Sequence, residues 1–461
     1  MSRAGRLVIV SNRVAVPTAR GAPGAQGGLA GALDAALRKT KGLWFGWSGE
    51  DCERPAAEPH VRDDGDVTFA TVDLSPQDLE DYYNGYANST LWPLFHYRLD
   101  LTEFERETGR GYERVNRRFA ETLAPLLRAD DIVWVHDYHL IPLGADLRRR
   151  AAGNRIGFFL HIPWPPASLL VSLPFHRRLV RSMLAYDLVG FQCDEWLDSF
   201  LHYCRTELGA LVDEATGRIE LGGRATVART YPIGIDFDHF SALSTTGEAR
   251  QAAQRVLSST RHRTAMVGVD RLDYSKGLPE RLDGIGRFFD RYPDRVHDLV
   301  FIQIAPPSRG DIGSYQKIRA ELERKTGQIN GARSRIDLVP IRYVNQGHTP
   351  AELNGIYSAC KIGLVTPLRD GMNLVAKEYI AAQDPDDPGV LILSRFAGAA
   401  QQLSEALLVN PQSPDDIASA IRDALDMPID ERKARWQVMF DCVRTQNVQN
   451  WSDSFIRDLA A

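Results

Sequence analysis

Cysteine is scarce in this chain: Cys52, Cys193, Cys204, Cys360 and Cys442 are the only five among 461 residues. None forms a CxxC pair and the number is odd. Neither a disulfide framework nor a cysteine-ligated zinc site is expected, and a reducing cytoplasm suits this usage. Long apolar runs are missing as well. The N-terminus leads straight into the strand-like Arg6-Leu-Val-Ile-Val-Ser11 without a signal-peptide core, and no segment is long enough to span a bilayer. Charge of one sign is not in excess: 55 Lys and Arg stand against 60 Asp and Glu, a net of −5. That argues against a broad nucleic-acid-binding face and leaves room for a local basic pocket. There is no short internal repeat and no low-complexity run, which excludes a solenoid.

What is present is ordinary globular material, 44% hydrophobic and 25% charged. The length is too great for one core, so two domains of roughly 200 residues each are expected. Short apolar runs alternate with amphipathic stretches. Leu7–Val10, Ile132–Val135, Ile156–Leu160 and Leu188–Phe191 read as strands in the first half, with helices over Tyr112–Leu127 and Leu179–Tyr186. The second half gives strands at Ala265–Val269, Leu299–Ile304, Ile336–Val339, Ile362–Val365 and Val390–Leu393. Its helices fall at Leu278–Phe289, Tyr315–Lys325 and Ala351–Ala359. Ser413 followed by Pro414 marks another helix start. The alternation predicts an α/β chain of two Rossmann-like, doubly wound domains facing a cleft. Pro232 and Gly234 break the pattern, so the domains are expected over 1–233 and 234–444. The amphipathic tail, about 445–461, is expected to pack back on the first.

The most informative stretch is Thr366-Pro-Leu-Arg-Asp-Gly-Met-Asn-Leu-Val-Ala-Lys-Glu378. It follows the buried-strand run at Ile362–Val365. Asp370-Gly371 breaks the chain, Asn373 is a good N-cap, and a helix runs on from Leu374. Ligands collect at strand C-termini in open α/β sheets, and a helix start favours anions. Glu378, one turn inside, suits a ribose diol. The stretch reads as a nucleotide-diphosphate site with Asp370 facing a sugar.

Other chemistry sits at similar junctions. Ser11-Asn-Arg13 ends the first strand, and Gly27-Gly28-Leu-Ala-Gly31 makes either a phosphate cradle or a packing turn; the intervening Arg20–Gly28 is expected to be mobile without ligand. Arg271 and Lys276 follow the strand at Ala265–Val269, where cations would hold a diphosphate and stabilise its departure. Arg309 follows another strand. Asp137 and His161 end two more. His136, Asp137 and His139 are all metal-ligand types, but strand alternation sends His136 and Asp137 to opposite faces. Asp236-Phe-Asp238 imitates a metal-binding DxD at the expected hinge, where a structural role fits better. Tyr82, Tyr83 and Trp92 fall in an aromatic-rich segment that reads as irregular, and either stack on a sugar or form core.

These motifs together resemble the trehalose-6-phosphate synthase family of retaining glycosyltransferases. The resemblance runs through SNR at 11–13, GLWFGWSGE at 42–50, LWPLFHYRLDL at 91–101, VWVHDYHL at 133–140 and GFFLHIPWP at 157–165. It continues in RLDYSKGLPER at 271–281, APPSRGD at 305–311 and TPLRDGMNLVAKEYIAAQDP at 366–385. It implies a GT-B fold and transfer of glucose from UDP- or GDP-glucose to glucose 6-phosphate, with front-side attack and no metal or other cofactor. By position it places Arg13, Trp47 or Trp44, Tyr83, Trp92, Asp137 and Arg309 at the acceptor. Gly27, Gly28, His161, Arg271, Lys276, Asp370, Gly371, Met372, Asn373, Leu374, Val375 and Glu378 fall to the donor, with Asp137, His161, Arg271, Lys276 and Asp370 nearest the chemistry. Trp164 departs from the family's more usual HIPFP, and the glycine loop differs in length. A pseudoglycosyltransferase using a nucleotide-linked cyclitol and a non-catalytic sugar-phosphate sensor are the rival readings. The partners implied are small molecules, with a homo-oligomer open and neither nucleic acid nor membrane expected.

Overall fold

The computed structural model describes residues 5–14, 16, 33, 36–38, 40–150, 152–260, 263–306 and 313–461. The glycine loop with Gly27 and Gly28, and Arg309, lie outside them. The chain divides into two compact units, Met1–Pro232 with Gln449–Ala461, and Ile233–Val448.

The first unit is built on ten strands: β1 (Leu7–Arg13), β2 (Leu43–Asp51), β3 (His60–Asp63), β4 (Thr68–Leu74), β5 (Ile132–His136), β6 (Arg155–Phe159), β7 (Leu188–Phe191), β8 (Leu211–Asp213), β9 (Arg218–Leu221) and β10 (Arg224–Thr230). Their order is β3-β4-β2-β1-β5-β6-β7-β10-β9-β8. The stretch from β4 to β10 is parallel, and antiparallel strands close both edges. Parallel strands covered on both faces need continuous apolar runs, and Val8, Ile9, Val10, Val133, Trp134 and Val135 are all fully buried. The tail helix Val448–Ala460 supplies part of that cover through its side chains beyond residue 448. Phe455 lies parallel to the Trp134 ring at 4.6 Å, and Trp451 sits 4.8 Å from it. Gly157 and Gly190 in β6 and β7 admit Phe455; a Cβ at either would come within 2.7 and 2.8 Å of its ring.

The second unit holds β11 (Thr264–Val269), β12 (Leu299–Ile304), β13 (Ile341–Val344), β14 (Ile362–Val365), β15 (Val390–Ser394) and β16 (Leu407–Val409). The order is β13-β12-β11-β14-β15-β16, and every pair is parallel. In both units the strand order reverses at one place, between β1 and β5 and between β11 and β14. An open sheet of this kind leaves a crevice at its reversal, beyond the strand C-termini.

Several expected elements move. The strand expected at Ile336–Val339 forms instead at Ile341–Val344. Ile336 is fully exposed and makes no ladder, while Ile341 is buried against Phe301 on β12. The first long helix spans Arg106–Leu123, not Tyr112–Leu127, because its first turn is polar and carries no apolar period. The helix expected at Leu179–Tyr186 spans His176–Met183, and that at Tyr315–Lys325 spans Gly313–Arg333. The segment with Tyr82 and Tyr83 is not irregular. Leu79–Leu91 is a π-helix that leads into a short α-helix at Trp92–Phe95. Its wider turn hides the 3.6-residue period, and Arg114 holds its start through Asp78 and Asp81 at 2.7 and 3.0 Å.

Candidate active site

Among the described residues, Arg13 and Asp137 in the first unit and Arg271, Lys276 and Asp370 in the second stand at the strand-order reversals. In the first unit Arg13 ends β1 and Asp137 follows β5. The exposed Arg13 guanidinium lies 5.9 Å from the Trp47 ring centroid, and against Gly49, where a Cβ would meet it at 2.5 Å. Trp47 faces Tyr83 at 5.6 Å, and Tyr83 stacks on His139 at 5.8 Å with 11° between the rings. Arg13, Trp47 and Tyr83 therefore form one cation-topped aromatic row. Trp44 is separate: it is buried against Phe69, and its indole N–H donates to Ser11 Oγ at 2.8 Å. Trp92 is buried between His96 and Tyr138.

Asp137 carries φ 76° and ψ 167°, a region that glycine alone enters freely. Holding an aspartate there costs on the order of 1–3 kcal/mol, and its hydrogen bonds hold it. Its amide donates to Phe159 O at 2.8 Å, and its Oδ1 accepts the His161 amide at 3.2 Å. The β5 and β6 ends are thereby tied together. His161 and His136 meet through Nε2 and Nδ1 at 3.1 Å. Burial holds the His161 imidazole down to about 3, and burial together with its neighbour holds His136 well below its ordinary value. Both rings are neutral at pH 7, so their contact carries a single proton. Among the described residues no group of three His, Cys, Asp or Glu side chains is placed to hold a metal ion. Asp236 caps the helix Phe237–Ala242 by accepting the His239 amide at 3.2 Å, the structural role expected of it.

In the second unit the loops after β11 and β14 lock to each other. Asp273 accepts the Ser275 amide at 2.9 Å and starts the tight turn Tyr274–Lys276. Gly277 follows with φ 63°, and a Cβ there would meet Thr366 O at 2.5 Å; only glycine fits both demands. Ser275 O accepts the Leu368 amide at 2.8 Å. Lys276 Nζ pairs with Asp370 Oδ2, and Asn373 Nδ2 donates to the same oxygen at 3.0 Å. Asn373, at φ 77°, caps the helix Leu374–Ala381 through the Ala376 amide. That cap leaves the amides of Leu374 and Val375 at the helix start without a side-chain partner among the described residues, at the end of the helix that anions favour. Gly371 and Met372 form the bend; Met372 O accepts the Ala399 amide at 2.8 Å. Arg271 is exposed at the mouth of the β11 loop. Glu378 lies one turn along the helix. Burial pushes its carboxyl up to about 7, and Tyr357 Oη stands at 3.5 Å.

Sequence reasoning missed the residues beneath these loops. Arg281 is fully buried. Its guanidinium reaches Asp270 at 2.7 Å, Gln303 Oε1 at 2.9 Å and Thr366 Oγ1 at 2.9 Å, so one side chain joins the ends of β11, β12 and β14. Lys377, also buried, donates to Ile233 O at 2.6 Å and Gln402 Oε1, and burial lowers its amine to about 7. The available signal was a charge on the apolar side of each helix, where Arg281 neighbours Leu278, Leu282 and Ile285, and Lys377 neighbours Ile380 and Ala381.

Known proteins share this arrangement along the whole chain. The sequence model of Glycosyltransferase family 20 matches residues 5–461. The trehalose-6-phosphate synthase of Sinorhizobium fredii is 46% identical over 459 residues, 99% of this chain and 98% of that protein. Its Enterobacter counterpart is 44% identical over 455 residues, 99% and 95% of the two chains. Among solved structures, the UDP-forming alpha,alpha-trehalose-phosphate synthase of Burkholderia xenovorans in complex with glucose-6-phosphate has a TM-score of 0.94 at 46% identity, covering 99% of this chain and 100% of that one. An Escherichia coli structure bound with UDP-2-fluoro glucose has a TM-score of 0.93 at 43% identity, covering 99% of each chain. The fold is GT-B. With one family model spanning nearly every residue and relatives matched end to end, the chain belongs to glycosyltransferase family 20 and is a glycosyltransferase.

Proposed function

We propose that the protein transfers glucose from UDP-glucose to the anomeric hydroxyl of glucose 6-phosphate, giving α,α-trehalose 6-phosphate and UDP with retention at the donor carbon. The observation that carries the reading is the locked pair of loops at the β11–β14 reversal, which sets Lys276, Asp370 and the Leu374–Ala381 helix start around one spot. In this reading Arg271, Lys276 and the free amides of Leu374 and Val375 hold the diphosphate. Asp370 and His161 take hydroxyls of the transferred glucose, and Glu378 takes the ribose diol. Arg13, with Trp47, Tyr83, Trp92, Asp137 and Arg309, receives the acceptor. The bond from C1 to the phosphate oxygen breaks as the acceptor O1 attacks from the same face. The proton of O1 passes to the departing phosphate oxygen, so no protein base is required. Lys276 and Arg271 stabilise the charge that grows on that phosphate, and alignment of the two sugars supplies the rest of the acceleration. The relatives that are UDP-forming favour uridine over guanosine in the donor. Turnover with UDP-glucose and with GDP-glucose in parallel, using glucose 6-phosphate and scoring trehalose 6-phosphate, tests it; absence of that product with either donor overturns the reading.

Because two cations take the role that a divalent ion plays in other nucleotide-sugar transferases, activity is expected to persist in excess chelator. Complete loss of turnover that a divalent ion restores would contradict this.

Glu378 gives a pH signature. Its carboxyl is near 7 in the free protein, and two ribose hydroxyls donating to it favour the carboxylate. Nucleotide binding therefore lowers this pKa and expels a proton. UDP affinity should rise with pH up to about 7 and level off above it. Titration calorimetry at pH 6.5 in buffers of different ionisation enthalpy should show proton release on UDP binding that is smaller in Glu378→Gln, the remainder coming from the terminal phosphate of UDP. Equal release by both proteins would remove Glu378 from the ribose.

A further inference from the structure

The first unit contains a cavity of about 710 Å³ that none of the residues assigned above to donor or acceptor lines. It lies among the helix Arg106–Leu123, the helix His176–Met183 and the segment before it, and its lining holds six arginines against three carboxylates. Two of the carboxylates are matched from within: Glu113 by Arg178 at 2.9 Å and Asp146 by Arg149. Arg106, Arg117 and Arg181 also line it, are exposed, and make no hydrogen bond among the described residues. The walls add four aromatic rings, Tyr86, Phe104, Tyr112 and Phe175. Phe104 and Phe175 are 42% and 73% exposed, unusual for rings that gain nothing by facing water. Phe175 is further held at φ 61°, a conformation that bulky residues rarely take, so the fold accepts strain to present it.

We propose that this cavity is a second ligand site, for a small phosphorylated molecule with a planar body, of which a nucleoside polyphosphate is the type. The volume lies in the range of ordinary ligand pockets, from about 300 to 1,000 Å³. Arg106, Arg117 and Arg181, whose guanidiniums make no hydrogen bond among the described residues, supply forked donors for phosphate oxygens. The exposed rings supply faces for a base. An inorganic anion satisfies the first of these and leaves the rings in water.

The test is titration calorimetry of ATP, and separately of inorganic tripolyphosphate, into the whole protein already saturated with UDP and glucose 6-phosphate. ATP is expected to bind with one further equivalent, and tripolyphosphate at least tenfold more weakly. Arg117→Ala combined with Arg181→Ala should weaken ATP tenfold or more while leaving the affinity for UDP unchanged. Phe175→Ala should weaken ATP and leave tripolyphosphate as it was. These positions are exposed, and an unchanged thermal midpoint verifies folding; Arg106→Ala serves if the double variant is unstable. Failure of ATP to bind the substrate-saturated protein overturns the proposal, as does equal ATP affinity in the unmodified protein and the arginine variants. A variant that changes the oligomeric mass but not the ATP titration also overturns it, and makes the surface a contact between copies.

Discussion

Replacing Arg271 and Lys276 together by alanine is expected to lower kcat/KM by a hundredfold or more, with the single Lys276→Ala change costing tenfold to a hundredfold. A charge-assisted hydrogen bond contributes about 1.5–3 kcal/mol, and each factor of ten in rate needs about 1.4. The loss should fall mainly on kcat, because the charge these groups meet grows as the diphosphate departs. The structure adds a complication and its control. Lys276 is also the partner of Asp370, whose side chain is only 13% exposed. Removing the lysine takes the cation from a largely buried carboxylate, and some loss would follow from disorder of the loop. Lys276→Ala with Asp370→Asn removes both charges of the pair. If Lys276 acts only by holding Asp370, the double variant should match Asp370→Asn alone. If it meets the phosphate, the double variant should fall at least tenfold below Asp370→Asn alone. Near-normal turnover by a folded Arg271→Ala/Lys276→Ala protein would dismiss the donor assignment.

Much of this site could be read from the chain because its chemistry is local. The run Ile362–Val365, the break at Asp370-Gly371 and the Asn373 cap follow one another in sequence, and each has a short-range physical cause. Ser413 likewise accepts the Asp416 amide at 3.2 Å and caps the helix Pro414–Asp426. What depends on distant partners was not legible. Both Ile336–Val339 and Ile341–Val344 have the composition of a strand, and pairing with Phe301–Ile304 selects the second. Leu43–Asp51 is a strand that the sequence does not announce, since Trp44, Phe45 and Trp47 do not alternate with polar residues. The choice between Trp44 and Trp47 beside Arg13 turns on which ring meets Tyr83, a residue 36 positions further along the chain than Trp47. The strain at Asp137 and the neutral His136–His161 pair exist only once β5 and β6 lie side by side.

Free glucose is expected to be a very poor acceptor, with kcat/KM below that for glucose 6-phosphate by a hundredfold or more. Two arginines, Arg13 and Arg309, are assigned to the 6-phosphate, and each bidentate, charge-assisted contact contributes about 1.5–3 kcal/mol. Arg13 is suited to this by what surrounds it. Its guanidinium is exposed, laid against Gly49 and above the Trp47 ring, so its planar fork is oriented before any ligand arrives. A side chain already held loses less freedom on binding, and more of each contact appears as affinity. Arg13→Ala and Arg309→Ala should therefore raise the KM for glucose 6-phosphate at least tenfold each while changing the donor KM little. With free glucose the same substitutions should have almost no effect, because that acceptor has no phosphate to lose. The informative quantity is thus the ratio of the two acceptors in each variant. It should collapse toward one as the arginines are removed. A ratio near one in the unmodified protein, or one that the substitutions leave unchanged, would mean that these arginines do not read phosphate and that the aromatic row beside Arg13 receives some other sugar.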